Sequence, residues 1–249
     1  GIPLQKERGI VDSHRSALHF VLESTRKEPQ KLNKNHNKFH YLCRMIKNLL
    51  FDLGGVIMNL DRSRCVRAFE ALGMKDAEDF LGLYGQKGAF LALEAGEIDA
   101  DGFHESVRRM FPHPVTDKEI DDAFNEFLVG IPAERLRALR ELRKRYPVYL
   151  LSNTNPIMMN SKIAEEFRKE GMEIGDYFDG IVTSYEAKCC KPAKGIFDYT
   201  EQVCGIVPEE TLFFDDSPSN VEAARRYGFQ AVVVNPGDEF VDLLGKYKS

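Results

Sequence analysis

The chain has 249 residues, of which 43% are hydrophobic and 29% charged, with 19 glycines, 11 prolines and a net charge of -5. This composition excludes collagen-like, coiled-coil and wholly disordered chains, and its length allows one large domain or a core with an insert. No apolar run approaches the roughly 20 residues that a membrane-spanning helix requires, so we expect no membrane partner.

Residues 1–44 differ in charge from the rest of the chain. They hold nine Lys and Arg against four Asp and Glu, whereas the remainder holds 25 against 35. The acidic remainder would repel a nucleic-acid backbone, and the basic segment carries no recognisable binding motif, so we predict no nucleic-acid partner. We predict that residues 1–44 are a weakly ordered, solvated leader and that the folded unit begins at Met45.

The cysteines form an odd set without C-x-x-C spacing: Cys43, Cys65, Cys189, Cys190 and Cys204. This pattern argues against both a disulfide framework and a structural zinc site. A reducing compartment suits such a chain, and we expect a cytoplasmic protein.

From Met45 onward, short apolar runs alternate with longer helical patterns. The runs that predict buried strands are Ile46–Phe51, Val148–Leu151, Gly180–Thr183, Thr211–Phe214 and Gln230–Val234. The patterns that predict amphipathic helices are Pro156–Lys169, Ala193–Cys204 and Pro218–Tyr227, the first and last preceded by the capping residues Asn155 and Ser217. Strand–helix–strand repetition predicts an α/β fold with a parallel sheet covered on both faces.

The interval between the first two strands is about 95 residues long, although a helical crossover needs only a few tens. The surplus sequence shows helical apolar stripes: Cys65, Ala68, Phe69 and Leu72; Phe103, Val107, Met110 and Phe111; Ile120, Ala123, Phe124, Phe127 and Leu128. A capping box at Thr116 and Glu119 begins the last of them. We predict a helical insert at residues 61–130 on a core formed by residues 45–60 and 131–249.

Polar side chains follow three of the predicted strands. They are Asp52, the pair Ser152–Asn153 and the pair Asp215–Asp216. One such Asp could be a helix cap or a turn residue, but the carboxyl ends of parallel strands meet at one edge, where open sheets bind ligands. Clustered carboxylates repel one another unless a cation lies among them, and an all-oxygen ligand set favours Mg²⁺.

The neighbouring residues suit a phosphate group. The turn Leu53–Gly54 can bring amide hydrogens close to an anion, and Ser152 with the amide of Asn153 adds donors. Lys191 supplies a cation; we prefer it to Lys188 because a proline and a helix follow it. The predicted partner is therefore a small-molecule phosphate ester.

At these positions the chain resembles the haloacid dehalogenase superfamily. The motifs occur in the family's order: Phe51-Asp52-Leu53-Gly54-Gly55-Val56, Leu151-Ser152-Asn153-Thr154, Lys191-Pro192 and Phe214-Asp215-Asp216. The resemblance implies a Rossmann-like core with a helical cap inserted after the first strand. It also implies a magnesium-dependent phosphatase in which Asp52 is the nucleophile, Ser152 and Lys191 hold the phosphoryl group, and Asp216 binds the metal. Asp215 and Asn220 would then lie one step behind the metal.

One position departs from the superfamily's pattern. Most of its phosphatases carry an acid/base Asp two residues after the nucleophile, where this chain has Gly54, whose backbone carbonyl can still bind the metal. A branch resembling sugar 1-phosphate phosphatases shares Phe-Asp-Leu-Gly at this site. Because Gly54 cannot protonate the departing oxygen, we expect acidic leaving groups, such as the anomeric oxygen of a sugar 1-phosphate, to be favoured.

Two other functions remain open from the sequence. A 2-haloacid dehalogenase uses the same nucleophile on carbon, but it needs neither a metal nor a partner for a phosphoryl group, so Asp215 and Asp216 argue against it. A non-catalytic phosphoryl-binding or sensor protein is the second alternative, and Gly54 is the residue that favours it.

Overall fold

The computed structural model describes residues 45–82 and 88–248, so the predicted leader at 1–44 lies outside the described residues. Within them, a five-stranded parallel sheet has the strand order β5-β4-β1-β6-β7. Its strands are β1 (Asn48–Phe51), β4 (Val148–Ser152), β5 (Gly180–Thr183), β6 (Thr211–Asp215) and β7 (Gln230–Val233). Each predicted strand is therefore present, and the α/β fold is confirmed.

Hydrophobic clusters cover both faces of the sheet. Successive side chains of a strand point to opposite faces, and accordingly Leu49 and Phe51 of β1 belong to one cluster and Leu50 to the other. All three are fully buried. The core helices are α6 (Ala133–Arg143), α7 (Pro156–Met158), α8 (Ala164–Arg168), α9 (Ser184–Ala187), α10 (Lys194–Cys204), α11 (Pro218–Tyr227) and α12 (Phe240–Lys248).

The long segment between β1 and β4 contains a helical layer, as its apolar stripes predict. Its helices are α1 (Arg62–Ala71), α2 (Ala77–Leu81), α3 (Gly88–Glu94), α4 (Ala100–Arg108) and α5 (Asp117–Asn125). Phe124 is at the centre of their packing, with ring centroids 4.9 Å from Phe90, 5.0 Å from Phe103 and 6.4 Å from Phe69. We call this layer the cap.

A short antiparallel ribbon joins the cap to the core. It pairs β2 (Asn59–Leu60) with β3 (Leu128–Gly130), so the two chain crossings lie side by side. The helical pattern predicts no strand here, and Leu128 belongs to β3 rather than to the stripe of α5. The stripe of α4 is also shorter than predicted, because the helix ends at Arg108 and Met110 is exposed.

The two predicted core caps behave differently. Asn155 caps α7. Its side-chain oxygen accepts a hydrogen bond from the Met158 amide at 3.0 Å, an ordinary hydrogen-bond length. Ser217 does not cap α11 with its side chain; its hydroxyl lies 2.9 Å from that of Ser219, and its amide donates to Asp215. The segment after α7 is interrupted by a π-helical turn at Met159–Ile163, which separates α7 from α8.

The sequence also predicts that the cysteines form no disulfide framework and that no helix spans a membrane. Cys65, Cys189, Cys190 and Cys204 are free thiols, as the spacing of the cysteines predicts, whereas Cys43 lies outside the described residues. Among residues 45–82 and 88–248, no helix has both the length and the apolar character needed to cross a bilayer.

Candidate active site

Three carboxylates meet at the carboxyl edge of the sheet. Asp52 directly follows β1, and Asp215 ends β6, which pairs with β1 through Phe51 and Phe214. One oxygen from each of Asp52, Asp215 and Asp216 lies within 4.8 Å of the others. The parallel register thus brings together residues that are more than 160 positions apart in the sequence.

Lys191 provides the positive charge of this cluster. Its ammonium Nζ lies 2.9 Å from Oδ1 of Asp52 and 2.7 Å from Oδ2 of Asp215, and it also donates to the Leu151 carbonyl at 3.1 Å. Burial alone would lower the pKa of Lys191, but Asp215 and Asp52 raise it above its usual value. The side chain is therefore a buried ammonium ion held between two carboxylates.

The side chain of Asn153 fixes the backbone of Lys191. Its oxygen accepts from the Lys191 amide at 2.8 Å, and its nitrogen donates to the Lys191 carbonyl at 3.0 Å. We predicted Asn153 as a substrate-binding residue through its backbone amide. The motif did not indicate these two hydrogen bonds between the Asn153 side chain and the Lys191 backbone. They set the position from which Lys191 reaches Asp52.

The cluster carries more negative than positive charge. Burial raises the pKa of Asp52 to about 8, Lys191 opposes this effect, and the nearby Asp215 and Asp216 add to it. When all three carboxylates are ionised, as metal binding requires, they exceed the one ammonium group by two negative charges. An all-oxygen set with this surplus is suited to a divalent cation of the Mg²⁺ type.

The two adjacent aspartates have different surroundings. Asp215 is fully buried and accepts hydrogen bonds from the Ser217 amide at 2.8 Å and from the side-chain amide of Asn220 at 3.0 and 3.2 Å, besides its contact with Lys191. Asp216 is exposed and lines the cavity described below. Asp215 and Asn220 therefore hold Lys191 in place, while Asp216 faces the space where a ligand would bind.

Gly55 has no room for a side chain. Its backbone is left-handed, with φ at +70°, and a Cβ atom would lie 2.6 Å from Cγ of Asp216. At Gly54 a Cβ would meet only the flexible end of Leu60, at 2.8 Å from its Cδ1. The close approach of Gly55 thus lets Asp216 lie beside Asp52.

We expect Gly55→Ala to lower activity about 100-fold or more, because the added Cβ would displace the carboxylate of Asp216, the predicted metal ligand, and a misplacement of about 1 Å can have an effect of this size. The left-handed backbone adds a loss of roughly 1–2 kcal/mol in the free energy of unfolding. Gly54→Ala is the matched control and should have a smaller effect on both quantities. Steady-state kinetics and denaturant titration measure them, and equal effects of the two substitutions would contradict this assignment.

A cavity of about 390 Å³ opens over the cluster. Eight residues predicted from the sequence line this cavity. Seven were predicted to bind substrate or metal, namely Asp52, Leu53, Gly54, Ser152, Asn153, Lys191 and Asp216, and the eighth is Asn220, predicted to support the metal site. The hydroxyl of Ser152 lies at a long 3.4 Å from the Asn153 carbonyl, which leaves it able to donate to a ligand. Asp215 is not part of the lining.

The cap forms the opposite wall of the cavity. The lining residues between the start of β2 and the end of β3 are Leu60, Phe90, Glu94, Phe127 and Leu128. Glu94 belongs to no recognised motif in the sequence, although its spacing of four residues from Phe90 places both on one face of a helix.

Two buried charged side chains hold the crossings between cap and core. The Arg135 guanidinium donates to Glu239 at 2.9 Å through two nitrogens, to Oδ1 of Asn59 at 2.9 Å and to the Ile57 carbonyl at 3.3 Å. Glu166 accepts from the Ile131 amide at 2.7 Å. One side chain thus holds the entrance to the cap and the other its exit, and no motif in the sequence indicated either role.

Comparisons with known proteins agree with this architecture. Residues 46–228 match the model of the haloacid dehalogenase-like hydrolases, so the chain belongs to that family. It is 40% identical over 186 residues to the D-ribitol-5-phosphate phosphatase of Bacteroides thetaiotaomicron, covering 75% of this chain and 90% of that relative. It is 26% identical over 191 residues to the phosphorylated carbohydrates phosphatase of Thermotoga maritima, covering 74% and 82% of the two chains.

A solved structure shares the whole arrangement. The HAD family enzyme of Bacteroides thetaiotaomicron, crystallised with magnesium and inorganic phosphate, aligns with a TM-score of 0.75 and 41% identity. The alignment covers 80% of this chain and 98% of that enzyme. The Rossmann-like core with an inserted helical layer is therefore common to both proteins.

Proposed function

We propose that this chain is a magnesium-dependent phosphatase that hydrolyses a phosphorylated sugar or polyol through an aspartyl-phosphate on Asp52. The observation that carries the proposal is the buried cluster at the sheet edge, in which Asp52 lies 2.9 Å from the Lys191 ammonium and beside Asp216. The named relatives support the same conclusion, since two of them are phosphatases of phosphorylated carbohydrates or polyols.

The residues of the cluster would have three roles: metal binding, phosphate binding and positioning of Lys191. Mg²⁺ held by Asp52, Asp216 and the Gly54 carbonyl would supply positive charge to the phosphate oxygens. The Lys191 ammonium and the Ser152 hydroxyl would bind the phosphoryl group, together with the amides of Gly54 and Asn153. The Leu53 amide, predicted for the same role, donates to Oδ1 of Asp52 at 2.7 Å and would hold the nucleophile instead. Asp215 and Asn220 would keep Lys191 in position.

The reaction would proceed in two displacements at phosphorus. In the first, a carboxylate oxygen of Asp52 forms a bond to phosphorus while the bond to the leaving oxygen breaks, and that oxygen takes up a proton. In the second, water attacks the phosphorus of the aspartyl-phosphate, the bond to Asp52 breaks, and inorganic phosphate leaves. The buried ammonium of Lys191 neutralises charge on the phosphoryl oxygens in both steps.

The relative from Bacteroides thetaiotaomicron bears on the leaving group. D-ribitol 5-phosphate is an ester of a primary alcohol, which is a poorer leaving group than the anomeric oxygen of a sugar 1-phosphate. The similarity to this relative supports phosphate esters of primary hydroxyls, in polyols and sugars, as substrates of this chain too. Preference for 1-phosphates, expected from Gly54, stays a prediction that paired 1- and 6-phosphates of one sugar would test.

We expect chelation to abolish phosphate release and Mg²⁺ to restore it better than Ca²⁺, whose larger and looser coordination shell positions the nucleophile less well. The measurement is phosphate release from a panel of sugar and polyol phosphates, with EDTA and after addition of each metal. Metal-independent release of halide from a 2-haloacid, without phosphate release, would contradict the proposal and favour the dehalogenase. Phosphate binding without any turnover would favour the sensor.

A further inference from the structure

The cap wall of the cavity carries one polar side chain among its described lining residues. Leu60, Phe90, Phe127 and Leu128 are apolar, and Glu94 is the exception. Its side chain is almost fully buried, with a residue exposure of 3%. Glutamate side chains are rarely buried to this extent, and this one lies in the wall of the cavity.

The helix that carries Glu94 is anchored at both ends of its last turn. Phe90, one turn before Glu94, packs edge-on against Phe124 with ring centroids 4.9 Å apart. Two residues after Glu94, the backbone turns at Gly96 with φ at +65°, and a Cβ there would lie 3.0 Å from the carbonyl carbon of Tyr185. The end of α3 therefore packs directly against the core at Tyr185. This packing fixes the position of Glu94 relative to the sheet.

The carboxylate of Glu94 lies close to the phosphate-binding elements. Burial raises the pKa of the Cys190 thiol to about 11, and the negative charge of Glu94 is the next largest cause. Cys190 directly precedes Lys191 in the chain. Glu94 thus approaches the loop that carries the ammonium group, from the opposite side of the cavity.

We propose that Glu94 is the specificity-determining residue of the cavity: its carboxylate accepts hydrogen bonds from the hydroxyl groups of an uncharged polyol leaving group and repels leaving groups that carry a carboxylate. The inference rests on the proposed phosphatase function. With the phosphoryl group at the core wall, the rest of the substrate extends toward the cap, where Glu94 is the polar side chain among the described lining residues. A carboxylate only accepts hydrogen bonds, and a polyol offers several O–H donors without charge.

The test compares three primary phosphate esters whose leaving groups differ in what they present to Glu94. D-Ribitol 5-phosphate presents several hydroxyls, ethyl phosphate presents none, and 3-phosphoglycerate presents a carboxylate beside a single hydroxyl. For Glu94→Gln we expect kcat/KM to fall about tenfold or more on the first, to stay within about twofold on the second and to rise on the third. Glu70→Gln, an exposed position on α1 of the cap that does not line the cavity, is the matched control and should leave all three unchanged.

Glu94→Asp separates charge from reach. It keeps the carboxylate but shortens the side chain, so turnover of D-ribitol 5-phosphate should fall while 3-phosphoglycerate remains excluded. This variant also carries the test if Glu94→Gln does not fold, which its thermal melting would show. A fall of equal size on all three esters, or no change on any, overturns the proposal; the first result would indicate a structural or proton-donating role.

The same experiment distinguishes failure of this inference from failure of the proposed function. If the wild-type protein with Mg²⁺ hydrolyses none of the three esters, nor the other sugar and polyol phosphates of the panel, then the proposed function is wrong and Glu94 loses its role with it. If the wild-type protein is active and the two Glu94 variants keep its substrate preference, only the inference about Glu94 is wrong.

Discussion

Asp52→Asn is expected to lower turnover of every phosphate ester by a factor on the order of 10⁴ to 10⁶, as loss of a nucleophile does in enzymes that form a covalent intermediate. The physical reason is that the neutral amide of Asn is a poor nucleophile and cannot form the acyl phosphate that a carboxylate forms. Asn retains the size of Asp and an oxygen that can accept from the Leu53 amide, which donates to Asp52 at 2.7 Å. The fold should therefore persist.

Stability gives this variant a second readout. Burial raises the pKa of Asp52 above its usual value of 3.8, so the folded protein without metal binds this proton more tightly than the unfolded chain does. For such a group, stability falls as the pH rises from about 4 toward 8. Removing the charge should thus leave the melting temperature in EDTA at neutral pH equal to that of the wild-type protein or above it.

Single-turnover assays and thermal melting measure the two effects of Asp52→Asn. The matched control is Asp242→Asn, an exposed position in the first turn of α12, which should leave activity and melting temperature nearly unchanged. Turnover by Asp52→Asn at close to the wild-type rate would refute the aspartyl-phosphate.

Lys191→Met is expected to abolish activity and to lower the free energy of unfolding by about 3–5 kcal/mol, the range observed when one partner of a buried ion pair is removed. The Lys191 ammonium contacts Asp52 at 2.9 Å and Asp215 at 2.7 Å, and Asp215 is fully buried. Without the ammonium, two carboxylates face each other with the third nearby. Addition of Mg²⁺ should restore part of the lost stability but not the activity.

Lys188→Met is the control for this substitution. Lys188 is exposed and three residues earlier, and it was the competing candidate for the phosphate-binding lysine. Its replacement should change the free energy of unfolding by no more than about 0.5 kcal/mol. Denaturant titration and phosphate release, measured on both variants, decide between the lysines: loss of activity in Lys188→Met with a normal Lys191→Met would reverse the assignment.

The local sequence was sufficient to predict the strands of the core and the residues at their ends. Leu49, Leu50 and Phe51 form an apolar run that is typical of a strand covered on both faces, and all three are fully buried. Asp52 follows this run directly, and Asp215 ends the strand that pairs with it. Because parallel strands end at one edge, the meeting of these residues followed from their positions in the pattern.

Interactions between distant segments decided the remainder, since no local pattern records them. The order of the strands, the β2–β3 ribbon and the roles of Arg135 and Glu166 depend on chain crossings brought together by folding. The side chain of Ser217 does not cap its helix, and its hydroxyl instead lies 2.9 Å from that of Ser219. Such contacts join residues whose separation in sequence carries no periodic signal.

The two walls of the cavity also differ in how far the sequence predicts them. The core wall could be predicted because its residues lie in short motifs at strand ends, where backbone geometry alone sets their direction. The cap wall could not, because Glu94 faces the cluster only through the packing of Phe90 on Phe124 and of Gly96 on Tyr185. The sequence by itself determined the sheet and the carboxylates at its edge. Tertiary packing decided which side chain of the cap lines the cavity, because that depends on how two separately patterned layers fit together.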